Sequence, residues 1–226
     1  LFDSARNRYL ITRMKRILKR TVSTLQYQLK KGAFSPEHFE VSFSVLEDLE
    51  AVNIALTGEE KLRLRGRIDR VDTWREPGQN SPSGKDRIYV KVIDYKSGSR
   101  DFSLAALYYG LQLQLVVYLN AAVELEQKEH PKDEVVPAAM LYYRVHDPIV
   151  EVEEEPDEDE EELVSRVQKE LLGRLRMTGA VRSEEQVIEG LDAHFTGRSD
   201  VIPVERKKDG QLGARSSVLS GEEFRV

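Results

Sequence analysis

Hydrophobic residues recur along the chain with two different periods. From residue 4 to residue 31, Leu10, Met14, Ile17, Leu18, Val22, Leu25 and Leu29 fall three or four apart, which predicts one long helix ended by Gly32. Residues 37–46 then alternate, with Phe39, Val41, Phe43 and Val45 on one face and Glu40 on the other, predicting a half-buried strand. Residues 62–72 alternate again: Leu62, Leu64 and Ile68 go one way, and Arg63, Arg65, Arg67 and Asp69 the other. Pro77, Gly78, Pro82 and Gly84 make 75–86 a surface loop, and the apolar run from Ile88 to Ile93 makes 87–96 a strand. Antiparallel pairing of these two strands would bring Asp69 and Asp94 to comparable places.

A second long helix is expected over 103–129, where Leu104, Leu107, Leu111, Leu115, Tyr118, Leu119 and Ala122 repeat at helical spacing. Gly110 inside it costs about 1 kcal/mol relative to Ala, so close packing of another backbone is the expected reason for it. Residues 135–145 read as a strand, 163–177 and 183–190 as helices, and 201–204 as a last short strand. Residues 205–217 are basic and glycine-rich, with Asp209-Gly210 as a turn signal, so the chain end is expected to be loose. No internal repeat is present.

At 226 residues, 40% hydrophobic and 33% charged, the chain has the makings of one substantial core, and 1–226 is expected to form a single domain. No apolar run approaches the ~18–20 residues of a membrane span, and there is no secretory signal. The absence of cysteine removes disulfides and thiolate metal sites from this chain and fits a cytoplasmic protein. The net charge of -6 is unevenly placed: residues 151–162 hold ten acidic residues in twelve positions, an expected mobile, solvated insertion. The first 31 residues hold nine Lys or Arg against one Asp, so a local basic face for phosphate contact survives the acidic total. A solvated helix face is the plainer account of Arg13, Lys15, Arg16, Lys19 and Arg20.

The chemistry concentrates in 66–118. Asp94 and Lys96 are two apart on a strand, so both side chains leave by one face, roughly 7 Å apart along the chain. Asp69 on the neighbouring strand supplies a second carboxylate. Two carboxylates suit a hard divalent cation, with the Tyr95 carbonyl as a third ligand, and Lys96 adds charge or orients a water for attack on a phosphodiester. Gln114 and Tyr118 are i and i+4 and share a helix face. Taken singly, each of these residues is as well explained as a turn former or an ion-pair partner. Gly78…Gly84-Lys85 is not a phosphate-binding loop, because five residues separate the glycines and Asp86 stands where Ser or Thr belongs. His146-Asp147 has no second histidine cluster to support a metal site, and no Ser-His-Asp set is apparent.

Taken together, Gly66-Arg67-Ile68-Asp69-Arg70-Val71-Asp72, Val92-Ile93-Asp94-Tyr95-Lys96-Ser97-Gly98 and Gln114…Tyr118 resemble the PD-(D/E)XK nuclease superfamily in its RecB-like branch. Tyr108-Tyr109-Gly110-Leu111-Gln112-Leu113-Gln114 and Lys208-Asp209-Gly210…Arg215-Ser216-Ser217 bring the resemblance closest to the C-terminal nuclease domain of the B subunit of AddAB-type helicase–nucleases. The resemblance runs from about residue 37 onward. It implies an α/β, restriction-endonuclease-like mixed sheet flanked by helices. It also implies a Mg2+- or Mn2+-dependent DNA exonuclease acting in double-strand-break repair, and a partner subunit of the AddA type. Asp69, Asp94 and Lys96 would be catalytic, with Gln114 and Tyr118 bordering the site. The chain departs from the pattern twice. The family's iron–sulfur cysteines are absent, as a fragment cut between them would be. No histidine precedes His38, so the first-helix histidine is vacant, with Glu40 as a candidate substitute. Two rival functions stay open: a non-catalytic DNA-binding or scaffold module on the same fold, and a metal phosphodiesterase acting on small nucleotides.

Overall fold

The structure is a computed structural model that describes residues 4–42, 53–55, 61–63, 66–80, 84–98, 101–153 and 159–224. The elements are α1 (Ala5–Leu29), β1 (Ser35–Ser42), β2 (Asn53–Ala55), β3 (Lys61–Arg63), β4 (Arg67–Glu76), β5 (Arg87–Lys96), α2 (Leu104–Tyr108), α3 (Gln114–Glu129), β6 (Glu134–Arg144), α4 (Glu160–Arg174), β7 (Thr178–Arg182), α5 (Glu185–Leu191) and β8 (Val218–Leu219). Six strands form one sheet in the order β1-β4-β5-β6-β7-β8, and β2 and β3 form a separate pair. β4 runs antiparallel to β1 and β5, β6 is parallel to β5 through the α2–α3 crossover, and β7 returns antiparallel to β6. The expected mixed sheet flanked by helices is therefore present. None of the helices is long and apolar enough to cross a membrane among the described residues.

β5 is the central strand, and Ile88, Tyr89, Val90, Val92 and Ile93 are all buried. A strand covered on both faces loses the alternation of a half-exposed one, which is why this stretch is a continuous apolar run. On one face Leu115, Tyr118, Leu119, Ala121 and Ala122 of α3 pack with Ile88, Val90 and Val92. On the other, Tyr89 and Ile93 pack with Phe34, Val187, Ile188 and Leu191, and with Val201, Ile202 and Val204.

Several expectations change. The predicted 103–129 helix is two helices. α2 stops at Tyr109, where the Gly110 amide donates to the Leu107 carbonyl at 2.9 Å and the Leu111 amide to the Ala106 carbonyl at 2.8 Å. These are the paired bonds of a Schellman end, and Gly110 takes the left-handed φ of 74° that such an end requires. Among the described residues nothing lies within 4 Å of where its Cβ would be, so close packing against them is not its role. α1 forms as expected, capped by Ser4, but buries only Thr24 and Gln28, with Leu25 partly covered. Leu10, Met14, Leu18 and Val22 of its apolar stripe are exposed.

β1 ends at Ser42, so Phe43 and Val45 of its expected alternation lie outside the described residues. The alternation fails inside it too: the register shifts between Pro36 and His38, Glu40 adopts φ 55°, and Phe39 is exposed. Val201–Val204 is a buried bend instead of a strand. Pro203 has no N–H to donate to a ladder, and the Ser199 hydroxyl accepts from the amides of Val201 and Ile202, each at 3.0 Å. The last strand is Val218–Leu219, parallel to β7. The chain end is not loose over its described part: Phe224 is buried in the α3-side core, and Arg215 donates twice to Glu205, each at 3.1 Å. Within the acidic run, Asp159 caps α4 by accepting from the Glu162 amide at 2.8 Å, and Glu160–Glu162 fill its first turn, where the helix dipole favours carboxylates. Residues 154–158 lie outside the described residues.

Candidate active site

The β4–β5 register pairs Arg70 with Ile93 and Val71 with Val92. Continued by one step, it sets Asp69 directly across from Asp94, at the point where both strands leave the core. The Asp69 carboxylate accepts from the Tyr95 amide at 2.8 Å, which fixes it against the last turn of the ladder. Asp94 is only 3% exposed, because α3 begins over it. Gln114, the first residue of α3, donates from Nε2 to Asp94 Oδ1 at 3.2 Å and to the Tyr118 hydroxyl at 2.8 Å. Its Oε1 accepts from Lys96 Nζ at 3.0 Å. Lys96 Nζ is 2.5 Å from Asp94 Oδ2 and 5.3 Å above the Tyr142 ring. Asp69, Asp94, Lys96, Gln114 and Tyr118 thus meet at one end of the central strand. Of Tyr95, only the backbone is at the site: its hydroxyl accepts from Arg70 on the other face, at 3.3 Å.

The electrostatics follow from the burial. Loss of water raises the Asp94 pKa, the Lys96 ammonium opposes this by hydrogen bonding and charge, and the Asp69 charge adds to the rise. Asp94 Oδ2 is buried without a hydrogen bond of good geometry, although Lys96 lies at ion-pair distance. The pair attracts but leaves a carboxylate lone pair unused. A buried oxygen with spare acceptor capacity, beside a second carboxylate, is a hard-oxygen donor set that suits a small divalent cation. The Tyr95 N–H points to Asp69, and on a strand the C=O of a residue leaves toward the same neighbour as its N–H, so that carbonyl is directed to the same place.

Asp72 shares the motif of Asp69 but serves the opposite face. It is fully buried, bound by Arg70 at 2.5 and 2.7 Å and by Lys91 at 3.0 Å. Glu40 is drawn off by Arg67, with 2.6 Å between them at the surface. The His146 and Asp147 pair is structural: His146 Nδ1 meets the Arg144 carbonyl at 3.0 Å, and Asp147 holds Arg16 and Arg20. Those two arginines of the basic helix are therefore partly neutralised.

Two features escape a reading of the sequence. Tyr142, beneath Lys96, becomes a neighbour of Asp94 only through the parallel β5–β6 register. The other is a group formed by His38, Glu126 and Glu129, whose donor atoms lie within 4.8 Å of one another. Glu126 is buried with Oε1 at 3.0 Å from His38 Nε2. A signal existed, since Glu126 continues the Tyr118 and Ala122 spacing and so lies on the apolar face of α3. One nitrogen and two carboxylate oxygens could take a divalent ion. The group stands twelve residues, or about 18 Å of helix, from Gln114, and is separate from the Asp69–Asp94 site.

Comparison with known proteins identifies the family. The model of the PD-(D/E)XK nuclease superfamily matches residues 1–208. The chain is 43% identical, over 99% of its length, to the B subunit of the ATP-dependent helicase/deoxyribonuclease of Lachnoclostridium phytofermentans. It is 38% identical to the same protein of Alkaliphilus metalliredigens and 36% identical to that of Clostridium acetobutylicum, in each case over 100% of its length. It spans 18% of the length of each of these relatives. With the six-stranded sheet and the carboxylate, lysine and glutamine cluster at the end of its central strand, the match shows that this chain belongs to the PD-(D/E)XK nuclease superfamily.

Proposed function

We propose that residues 1–226 act as one nuclease domain, a divalent-metal-dependent deoxyribonuclease, within a helicase–nuclease subunit that resects broken DNA for recombination in the cytoplasm. The observation that carries this is the meeting of Asp69, Asp94, Lys96, Gln114 and Tyr118 at the end of the central strand, with Gln114 and Lys96 on the two oxygens of the buried Asp94 carboxylate. The relatives are named as one of the subunits of a helicase/deoxyribonuclease, which supports DNA as the substrate and a second subunit as the partner.

Asp69, Asp94 and the Tyr95 carbonyl would hold Mg2+ or Mn2+. When bound, that ion supplies Lewis acidity, lowering the pKa of water and neutralising charge on the phosphate. The chain's own residues do the rest. Asp94 and Asp69 fix where the ion would sit relative to the sheet. Lys96 is held by Gln114 and backed by the Tyr142 ring, so its ammonium points at developing charge without needing to reorganise. Gln114 links Asp94, Lys96 and Tyr118 into one rigid unit, so each rotamer restrains the others. An iron–sulfur cluster needs thiolates, and this chain has no cysteine to supply them.

The test is degradation of linear DNA by the intact helicase–nuclease with Mg2+, Mn2+ or chelator. Cleavage should require the metal, and Asp94→Ala should abolish it while DNA binding persists through phosphate contacts. Near-normal cleavage by Asp94→Ala would sink the metal reading. Wild-type binding without cleavage, under any divalent ion, would favour the non-catalytic module.

A further inference from the structure

The turn between α2 and α3 exposes an unusual set of side chains. Tyr108 is 86% exposed, Tyr109 74% and Leu111 76%, and the two tyrosine rings meet edge to face at 5.4 Å. Large apolar groups held together in water are a cost unless something covers them. The turn is also built to hold them out. The Schellman end at Gly110 fixes its direction, and Gln112 braces it from the other side, accepting from the Ser103 amide at 3.0 Å and donating to the Asp101 carbonyl at 2.9 Å. These residues therefore project from a rigid platform.

The position of the turn says what covers it. It leads straight into Gln114, whose side chain touches Asp94, Lys96 and Tyr118. Four residues lie between Tyr109 and Gln114, five steps along the chain, so their Cα atoms are at most about 17 Å apart. That is the length of about five stacked nucleotides at ~3.4 Å each. A DNA strand that runs from a phosphate at Asp94 toward this turn would come within reach of both rings. Aromatic side chains stack on bases of any sequence, but only on bases that are not already stacked in a duplex.

Resting on the nuclease reading above, we infer that Tyr108 and Tyr109 form a stacking platform for unpaired bases within about five nucleotides of the scissile phosphate. They are binding and positioning residues for the strand to be cut, and they contribute no chemistry to its cleavage. Their role is to hold the strand in register, so that successive phosphates reach Asp94 in order.

The experiment is a cycle between protein and substrate, using the intact helicase–nuclease with Ca2+ in place of Mg2+ for binding and Mg2+ for cleavage. Single strands carry abasic sites at one to five nucleotides from the preferred cut. Tyr108→Ala and Tyr109→Ala should each weaken binding of the normal strand by about 5- to 150-fold, the span of one base–aromatic stack. On the strand that lacks the matching base, the same substitution should change nothing further. Tyr108→Phe and Tyr109→Phe should restore binding, because the ring and not the hydroxyl is used. Additive effects of tyrosine and base overturn the inference. So do lowered melting temperatures of both alanine variants with unchanged DNA binding, which would assign the rings to packing against the rest of the intact protein. Metal-independent behaviour or no cleavage by the wild type would overturn the nuclease reading itself, and this inference with it. Normal wild-type cleavage without coupling would overturn the stacking platform alone.

Discussion

At the scale of single residues, the site trades stability for chemistry. Asp94 is a carboxylate kept from water beside another carboxylate, and its charged form is disfavoured there. Asp94→Asn should therefore end cleavage yet melt no lower than the wild type in chelator, as thermal unfolding of the two proteins would show. Lys96→Ala should reduce turnover by about 10²- to 10³-fold, the scale of one lost stabilising donor, with little change in DNA affinity. Single-turnover kinetics at saturating DNA checks it. Glu126 gives a stability test away from the site. Burial raises its pKa; His38 pulls it down, while Glu129 and Glu37 push it further up. His130 Nε2 lies 3.9 Å from its other oxygen. A folded pKa above the unfolded one means stability that is complete below the usual glutamate range and is lost as pH rises through the raised value. In chelator, Glu126→Gln should thus gain in melting temperature relative to the wild type between acid and neutral pH. A constant difference across that range would reject the account.

At the scale of elements, what the sequence revealed depended on whether the decisive interaction was local. β5 announced itself through its apolar run. The alternation over 62–72 found the start of β4 but joined it to Lys61–Arg63, which is β3 of the separate pair, and the β4–β5 pairing put Asp69 opposite Asp94 as expected. The i, i+4 placement of Gln114 and Tyr118 was legible because it needs only helix geometry, and the two side chains do bond. The break at Gly110 was hidden because the apolar spacing on its two sides is in phase, so one helix or two gives the same pattern. α1 misled in the opposite sense. Its stripe is helical, but period alone does not say what the stripe packs against. The buried bend at Val201–Val204 resembled a strand because burial on all sides produces the same apolar run as a sheet interior. These differences have measurable size. Leu119→Ala, in the core under the sheet, should cost about 2–5 kcal/mol, whereas Leu18→Ala on the exposed stripe should stay within about 0.5 kcal/mol. Gly110→Ala should cost roughly 1–2 kcal/mol, since an L residue is forced to a left-handed φ with no clash to add. Denaturant unfolding of the three variants ranks them. Equal costs for Leu18 and Leu119 would show that the α1 stripe is covered.

At the scale of the whole molecule, the sheet separates two tasks. The α3 face carries Asp69 and Asp94 at its end, while the other face holds Asp72 in a closed set with Arg70 and Lys91. The acidic total of the chain does not describe its surface, because charges are paired locally, as Arg16 and Arg20 are with Asp147. The topology of the central strand also bears on how the protein assembles itself in time. β5 acquires β4 through a hairpin of ten intervening residues, but acquires β6 only after a crossover of 37. Closing the shorter loop loses less chain entropy, so the hairpin can form early and the parallel partner must wait for the helices between them. Asp69 and Asp94 belong to that early hairpin, whereas Gln114 and Tyr118 ride on the late crossover. The carboxylate half of the centre would then precede its organising half. Val71→Ala should slow refolding, and Ala139→Gly should mainly speed unfolding, as stopped-flow chevrons of the two variants would show.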